Sequence, residues 1–114
     1  MRAVSLGALN IDRTYKVDKI VHEGQTVRTL GLRTSAGGKA LNQAVALAGA
    51  GFDASAAGQI GPDGTWLLEV LSEAGVNSDL VKVGGGVTGH AVIQLDPSGA
   101  NCILLYPGAN DLED

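Results

Sequence analysis

The chain has 114 residues, enough for one hydrophobic core and short for two domains. A net charge of −4 without a basic cluster argues against a nucleic-acid partner, and no apolar run is long enough to span a bilayer. Seventeen of the 114 residues are glycine, about twice the ~7% background and without a collagen-type period, which calls for many tight turns and close backbone approaches.

Residues 2 to 9 read as a buried strand, with Asn10 and Asp12 at its carboxyl end. Residues 13 to 20 and 26 to 34 have partial period-two patterns and β-branched content, so they read as half-exposed strands joined by a turn at His22-Glu23-Gly24-Gln25. An alanine-rich helix is predicted from Lys39 to Ala50, with Gly49 and Gly51 as its stop. Small residues from Asp53 to Ile60 suit a strand in a crowded position. A second helix starts near Asp63, read as its N-cap, and buries Trp66, Leu67, Val70, Leu71 and Ala74 on one face. A short strand at 80 to 83 and a glycine joint at 84 to 86 follow. Strands at 88 to 95 and 101 to 106 flank Asp96-Pro97-Ser98-Gly99, whose proline and glycine suit a type I hairpin turn. Alternation of strands and helices implies an α/β fold with a mostly parallel sheet. The additional strand pairs do not fit between the helices and are expected to form a small second sheet projecting from the main layer.

The lone Cys102, followed by Ile103-Leu104-Leu105, is expected to be a buried core residue. No secretory leader is evident after Met1-Arg2, so the expected location is the cytoplasm. His22 and His90 have no matched metal ligands, no metal site is predicted, and no catalytic constellation stands out.

Two places carry binding chemistry. Gly37-Gly38 before the first helix, with Lys39 and Asn42 in its first turns, would offer bare N–H groups, a positive charge and an amide to ligand oxygens. The alternative is plain turn chemistry. The run is no Walker A loop, since Arg33 and Ala40 stand where that motif needs Gly and Ser or Thr. Asn42, if buried, would need a polar partner that a ligand hydroxyl could supply. Asn10 and Asp12 together can hold vicinal hydroxyls, the carboxylate accepting and the amide doing either; the alternative is a polar turn with an Asx-type bond. Gly61-Pro62-Asp63-Gly64 reads as a turn and cap.

Five segments in order resemble the ribokinase-like, or PfkB-type, family of carbohydrate and nucleoside kinases: Gly7-Ala8-Leu9-Asn10-Ile11-Asp12, Gly37-Gly38-Lys39-Ala40-Leu41-Asn42-Gln43-Ala44, Gly58-Gln59-Ile60-Gly61-Pro62-Asp63-Gly64, Thr88-Gly89-His90-Ala91 and Tyr106-Pro107-Gly108-Ala109-Asn110. The resemblance implies a Rossmann-type sheet with a projecting β-lid over approximately 13 to 34 and 88 to 106, all in one partial domain, 1 to 114. It implies that Asn10, Asp12, Gly37, Gly38, Lys39 and Asn42 form a pocket for a sugar or nucleoside. It also implies ATP and Mg as cofactors of a complete kinase, neither expected to bind this chain alone, and a homo-oligomer formed through the lid strands or an open sheet edge. The family's catalytic aspartate lies in a D-T-x-G-A-G-D run, which these 114 residues do not contain. The expectation is therefore a truncated, sugar-binding part of a kinase that is inactive alone, or a non-catalytic binding or dimerisation module.

Overall fold

The structure, a computed structural model, describes residues 1–111. Seven strands and two helices follow the chain as β1 (Arg2–Leu6), β2 (Asn10–Lys16), β3 (Gly31–Gly37), α1 (Lys39–Gly49), β4 (Asp53–Ile60), α2 (Trp66–Glu73), β5 (Asn77–Val83), β6 (His90–Leu95) and β7 (Asn101–Tyr106). Single 3₁₀ turns sit at Pro62–Gly64 and Gly108–Asn110.

The strands divide into two sheets. β1, β4 and β5 form a parallel sheet in the order β1-β4-β5, and β2, β3, β6 and β7 form a mixed sheet in the order β3-β2-β6-β7. The second sheet is thus the larger in these residues, not the small appendage read from the sequence. Its two central strands run parallel, while β3 and β7 pair antiparallel at the edges.

Both helices cover one face of the parallel sheet. Ala40, Leu41 and Ala44 of α1 and Leu67 and Leu71 of α2 meet Ala56 and Ile60 of β4, with Leu9, Ile11 and Val76 closing the cluster. Alanine on both sides lets α1 lie close to β4. Each helix ends in a Schellman pair. Gly51 (φ 95°) and Gly75 (φ 80°) take the left-handed position that glycine favours. Phe52 N–H then reaches Leu47 O at 3.0 Å, and Val76 N–H reaches Leu71 O at 2.8 Å.

The opposite face of the parallel sheet is uncovered among the described residues. This corrects the reading of residues 2 to 9 as buried. β1 ends at Leu6 and lies at the sheet edge, so Ser5 turns toward α1, donating to Ala40 O at 2.9 Å, while Val4 and Leu6 are 60% and 74% exposed. Leu80 of β5, in register with Ala57 of β4 and through it with Leu6, continues this apolar surface.

Three further expectations shift. The second and third strands begin and end closer to the main sheet than predicted, at 10–16 and 31–37. Pairing of Lys16 with Gly31, closed by Leu30 N–H to Lys16 O at 2.7 Å, leaves residues 17 to 30 as a loop with no partner strand. The turn at 22 to 25 stands, with Gln25 N–H on His22 O and Gly24 at φ 79°. Cys102 is exposed, because β7 pairs only with β6 and its six residues are all exposed. Asp63 caps no helix: α2 begins at Trp66, and the Asp63 carboxylate accepts from Thr88 instead. The hairpin at 96 to 99 is formed as expected, with Gly99 N–H on Asp96 O and the Asp96 carboxylate taking Ser98 Oγ at 2.7 Å.

Candidate functional site

The chain passes from one sheet to the other at the Gly7-Ala8-Leu9 link and returns at Gly37-Gly38, so the predicted residues gather at one junction. Asn10 opens β2 and Gly37 closes β3, and the two are register partners. Asn10 and Asp12, two apart on one strand, share a face of the mixed sheet. The Asp12 carboxylate lies directly over Gly37, where any added Cβ would overlap it. Asn10 and Asp12 therefore begin a strand, and neither makes an Asx-type turn bond.

Gly38 is the N-cap of α1, at φ 96° and ψ 146°, a conformation open to glycine. A Cβ there would overlap the carbonyl of Ala8, which accepts from Ala40 N–H at 3.2 Å, and would crowd Asn10 N. No side chain caps the helix, and no acidic residue stands in its first turn. Lys39 and Asn42 both fall in that first turn and both are exposed. Asn42 is thus not buried, and it needs no internal partner. Its amide is simply open to whatever approaches the helix start.

Asp12 is half-buried, and its carboxylate has no hydrogen bond or ion pair among the described residues. Burial pushes its carboxyl above the usual carboxylate range. Such a group is an unused acceptor held against bare backbone.

A residue the sequence reading did not single out as a site member completes the junction. Asn110, in the 3₁₀ turn after β7, accepts Leu9 N–H on Oδ1 at 2.9 Å and donates from Nδ2 to Asn10 Oδ1 at 2.6 Å. Gly89 must be bare beneath it, since a Cβ there would overlap Asn110 Nδ2 and come within 2.9 Å of Asn10 Oδ1. Beside this, Thr88 is fully buried and ties Gly61 and Asp63 to the start of β6. His90 is the register partner of Ile11 and so lies on the face of the mixed sheet opposite Asn10 and Asp12. Its Nδ1 lies 3.1 Å from Thr88 O, and its ring is tilted against Tyr106 at 5.3 Å between centroids.

Among the described residues no three His, Cys, Asp or Glu side chains come together to hold a metal ion. The side chains of the described residues do not fit a Mg site. No helix of the described residues is long and apolar enough to cross a membrane.

The sequence pattern of the pfkB family carbohydrate kinases matches residues 2–114. A ribokinase of Dictyostelium discoideum is 36% identical over 110 residues, which cover 94% of this chain and 35% of the relative. A crystal structure of ribokinase from Cryptococcus neoformans var. grubii serotype A in complex with ADP superposes with a TM-score of 0.88 at 44% identity, covering 95% of this chain and 35% of that one. Arabidopsis thaliana ribokinase complexed with ribose and ATP gives a TM-score of 0.83 at 35% identity, covering 94% and 36%. The chain spans about a third of the length of the relatives it matches. With a family match over nearly every residue and a ribokinase-like α/β fold, this chain belongs to the pfkB family of carbohydrate kinases.

Proposed function

We propose that this chain is the sugar-binding and lid part of an ATP-dependent carbohydrate kinase, without phosphoryl transfer of its own. The observation that carries the reading is the Asp12 carboxylate: half-buried, unpartnered, laid over Gly37 and two residues from Asn10. A carboxylate accepts from two neighbouring hydroxyls, and an amide beside it adds a directional hydrogen bond. Together they fit the vicinal diol of a furanose. Lys39 and the uncapped start of α1 add positive potential where polar oxygens of the same ligand would lie. The mixed sheet is the lid of this reading, and the Asn10–Asp12 face of β2 is the side it turns to the sugar.

Ribose is the first probe, because the structure of a relative with the same fold is of its complex with ribose and ATP. Titration calorimetry of the chain with ribose is expected to give saturable heat. Asp12→Ala is expected to weaken that affinity about 10- to 100-fold, the worth of one or two charge-assisted hydrogen bonds. It does so without unfolding the chain. With the folded pKa of Asp12 above its unfolded value, the stabilising contribution of this group exists in acid and is lost as pH rises through the folded pKa. At neutral pH its charge is therefore a cost to folding, and its removal leaves stability equal or higher. Ribose affinity of the unsubstituted chain should in turn fall on acidification at a higher pH than an ordinary carboxylate would give. Binding of ATP with no response to ribose or adenosine defeats the reading, and unchanged affinity in Asp12→Ala removes Asp12 from the site.

Self-association is part of the same proposal. Among the described residues, Val4, Leu6 and Leu80 form one uncovered apolar surface, and β7 presents Ile103, Leu104, Leu105 and Tyr106 along an unpaired sheet edge. Sedimentation at micromolar concentration is expected to show a dimer or larger species. A monodisperse monomer there rejects self-association.

A further inference from the structure

Asn10 looks ambivalent as a ligand group, since a free amide offers either a carbonyl oxygen or an NH₂. The hydrogen bonds behind it remove the choice. Leu9 N–H can only donate, so the Asn110 atom 2.9 Å from it must be the oxygen. That leaves Asn110 Nδ2, which can only donate, 2.6 Å from Asn10, so the Asn10 atom facing it must also be oxygen. Asn10 Nδ2 then has no partner among the described residues and lies on the Asp12 side of β2. The relay runs over Gly89, which leaves room for both amides, and it begins on a backbone group that cannot be reversed.

We infer that Asn110 is a positioning residue that fixes Asn10 as a hydrogen-bond donor. The site thereby presents one donor, Asn10 Nδ2, beside one acceptor, the Asp12 carboxylate. Such a pair matches a diol in which one hydroxyl oxygen accepts while a neighbouring hydroxyl donates. It discriminates against ligands that offer two donors only, such as a sugar with protonated amino groups at both positions. This inference rests on the sugar-site reading for its ligand, but the amide polarity itself does not.

The test uses the side-chain amides in NMR spectra of the free, ¹⁵N-labelled chain. Asn110 NH₂ is expected to exchange with solvent at least about tenfold more slowly than Asn10 NH₂, because one is hydrogen-bonded and the other is not. In Asn110→Asp the new carboxylate can only accept. Asn10 is expected to turn its NH₂ toward it, so the Asn10 amide becomes the protected one, and ribose affinity falls about tenfold or more for the lost donor. A slowly exchanging Asn10 amide in the unsubstituted chain overturns the inference. So does an Asn10 amide whose exchange is unchanged in a folded Asn110→Asp variant. If the unsubstituted chain takes up no ribose, the sugar-site reading falls, and the exchange pattern still decides the amide polarity.

Discussion

Replacing Gly38 by alanine is expected to destabilise the chain by about 3 kcal/mol or more, against about 1 kcal/mol for Gly51→Ala. The two glycines have nearly the same φ, 96° and 95°. Their surroundings differ. A Cβ on Gly51 meets nothing within 4 Å, so the cost there is that of the left-handed conformation alone. A Cβ on Gly38 overlaps the backbone carbonyl of Ala8, which cannot swing aside because it holds Ala40 N–H at the start of α1. Accommodating it means either opening the helix start or moving the link that carries Leu9 into the core. Gly37→Ala is the complementary case. The atoms nearest its Cβ all belong to the Asp12 carboxylate, the far end of a side chain that can rotate, so stability should change little while ribose binding is lost. Urea unfolding midpoints of the three variants check the ranking. A Gly38→Ala midpoint no lower than that of Gly51→Ala shows that the Ala8 overlap is relieved at no cost.

The same contrast between local and distant causes explains what the sequence revealed. Helix α1, strand β4 and the hairpin at Asp96 were legible because their signals are local: alanine periodicity with a glycine stop, a run of small residues, and a Pro-Ser-Gly turn. Asn10, Asp12, Gly37 and Gly38 each stood out locally, as polar residues at a strand end and a glycine pair before a helix, and their juxtaposition comes from the pairing of β2 with β3. What failed was whatever depends on the sheet order. Alternating Ala3, Val4, Ser5 and Leu6 give no sign of lying at an edge with one face uncovered. Cys102 sits in an apolar run that would be core on a central strand and is exposed on β7. Asn110 could not be found as a site member by any local pattern, because its partner Asn10 is 100 positions away. Whether Asn42 is buried was not legible either, because an alanine-rich helix does not show which face is covered; the face that carries Asn42 is turned outward.

Thr88→Val is expected to cost about 1–3 kcal/mol although the two side chains have the same shape, because a buried donor is left unpaired. Thr88 is fully buried, and its hydroxyl accepts Gly61 N–H at 2.9 Å while donating to Asp63 Oδ1 at 2.8 Å. The same Asp63 oxygen takes Thr88 N–H at 2.9 Å, and Gly64 has no Cβ that would displace the hydroxyl. This knot fastens the end of β4 to the start of β6, and so one sheet to the other. It also carries a pH signature. Thr88 N–H, with the hydroxyl behind it, holds the Asp63 carboxyl below the usual carboxylate range. A folded pKa below the unfolded one gives stability that is present above the unfolded value and lost as pH falls through the folded one. Asp63→Asn should therefore lower the urea midpoint at pH 7, and the gap to the unsubstituted chain should close in acid. Asp96, held low chiefly by Ser98, titrates alike in both proteins and cancels from the difference. A gap that is constant from neutral pH into acid means that Asp63 is not the charged partner of the knot, and an unchanged midpoint in Thr88→Val means that the hydroxyl does not hold the two sheets together.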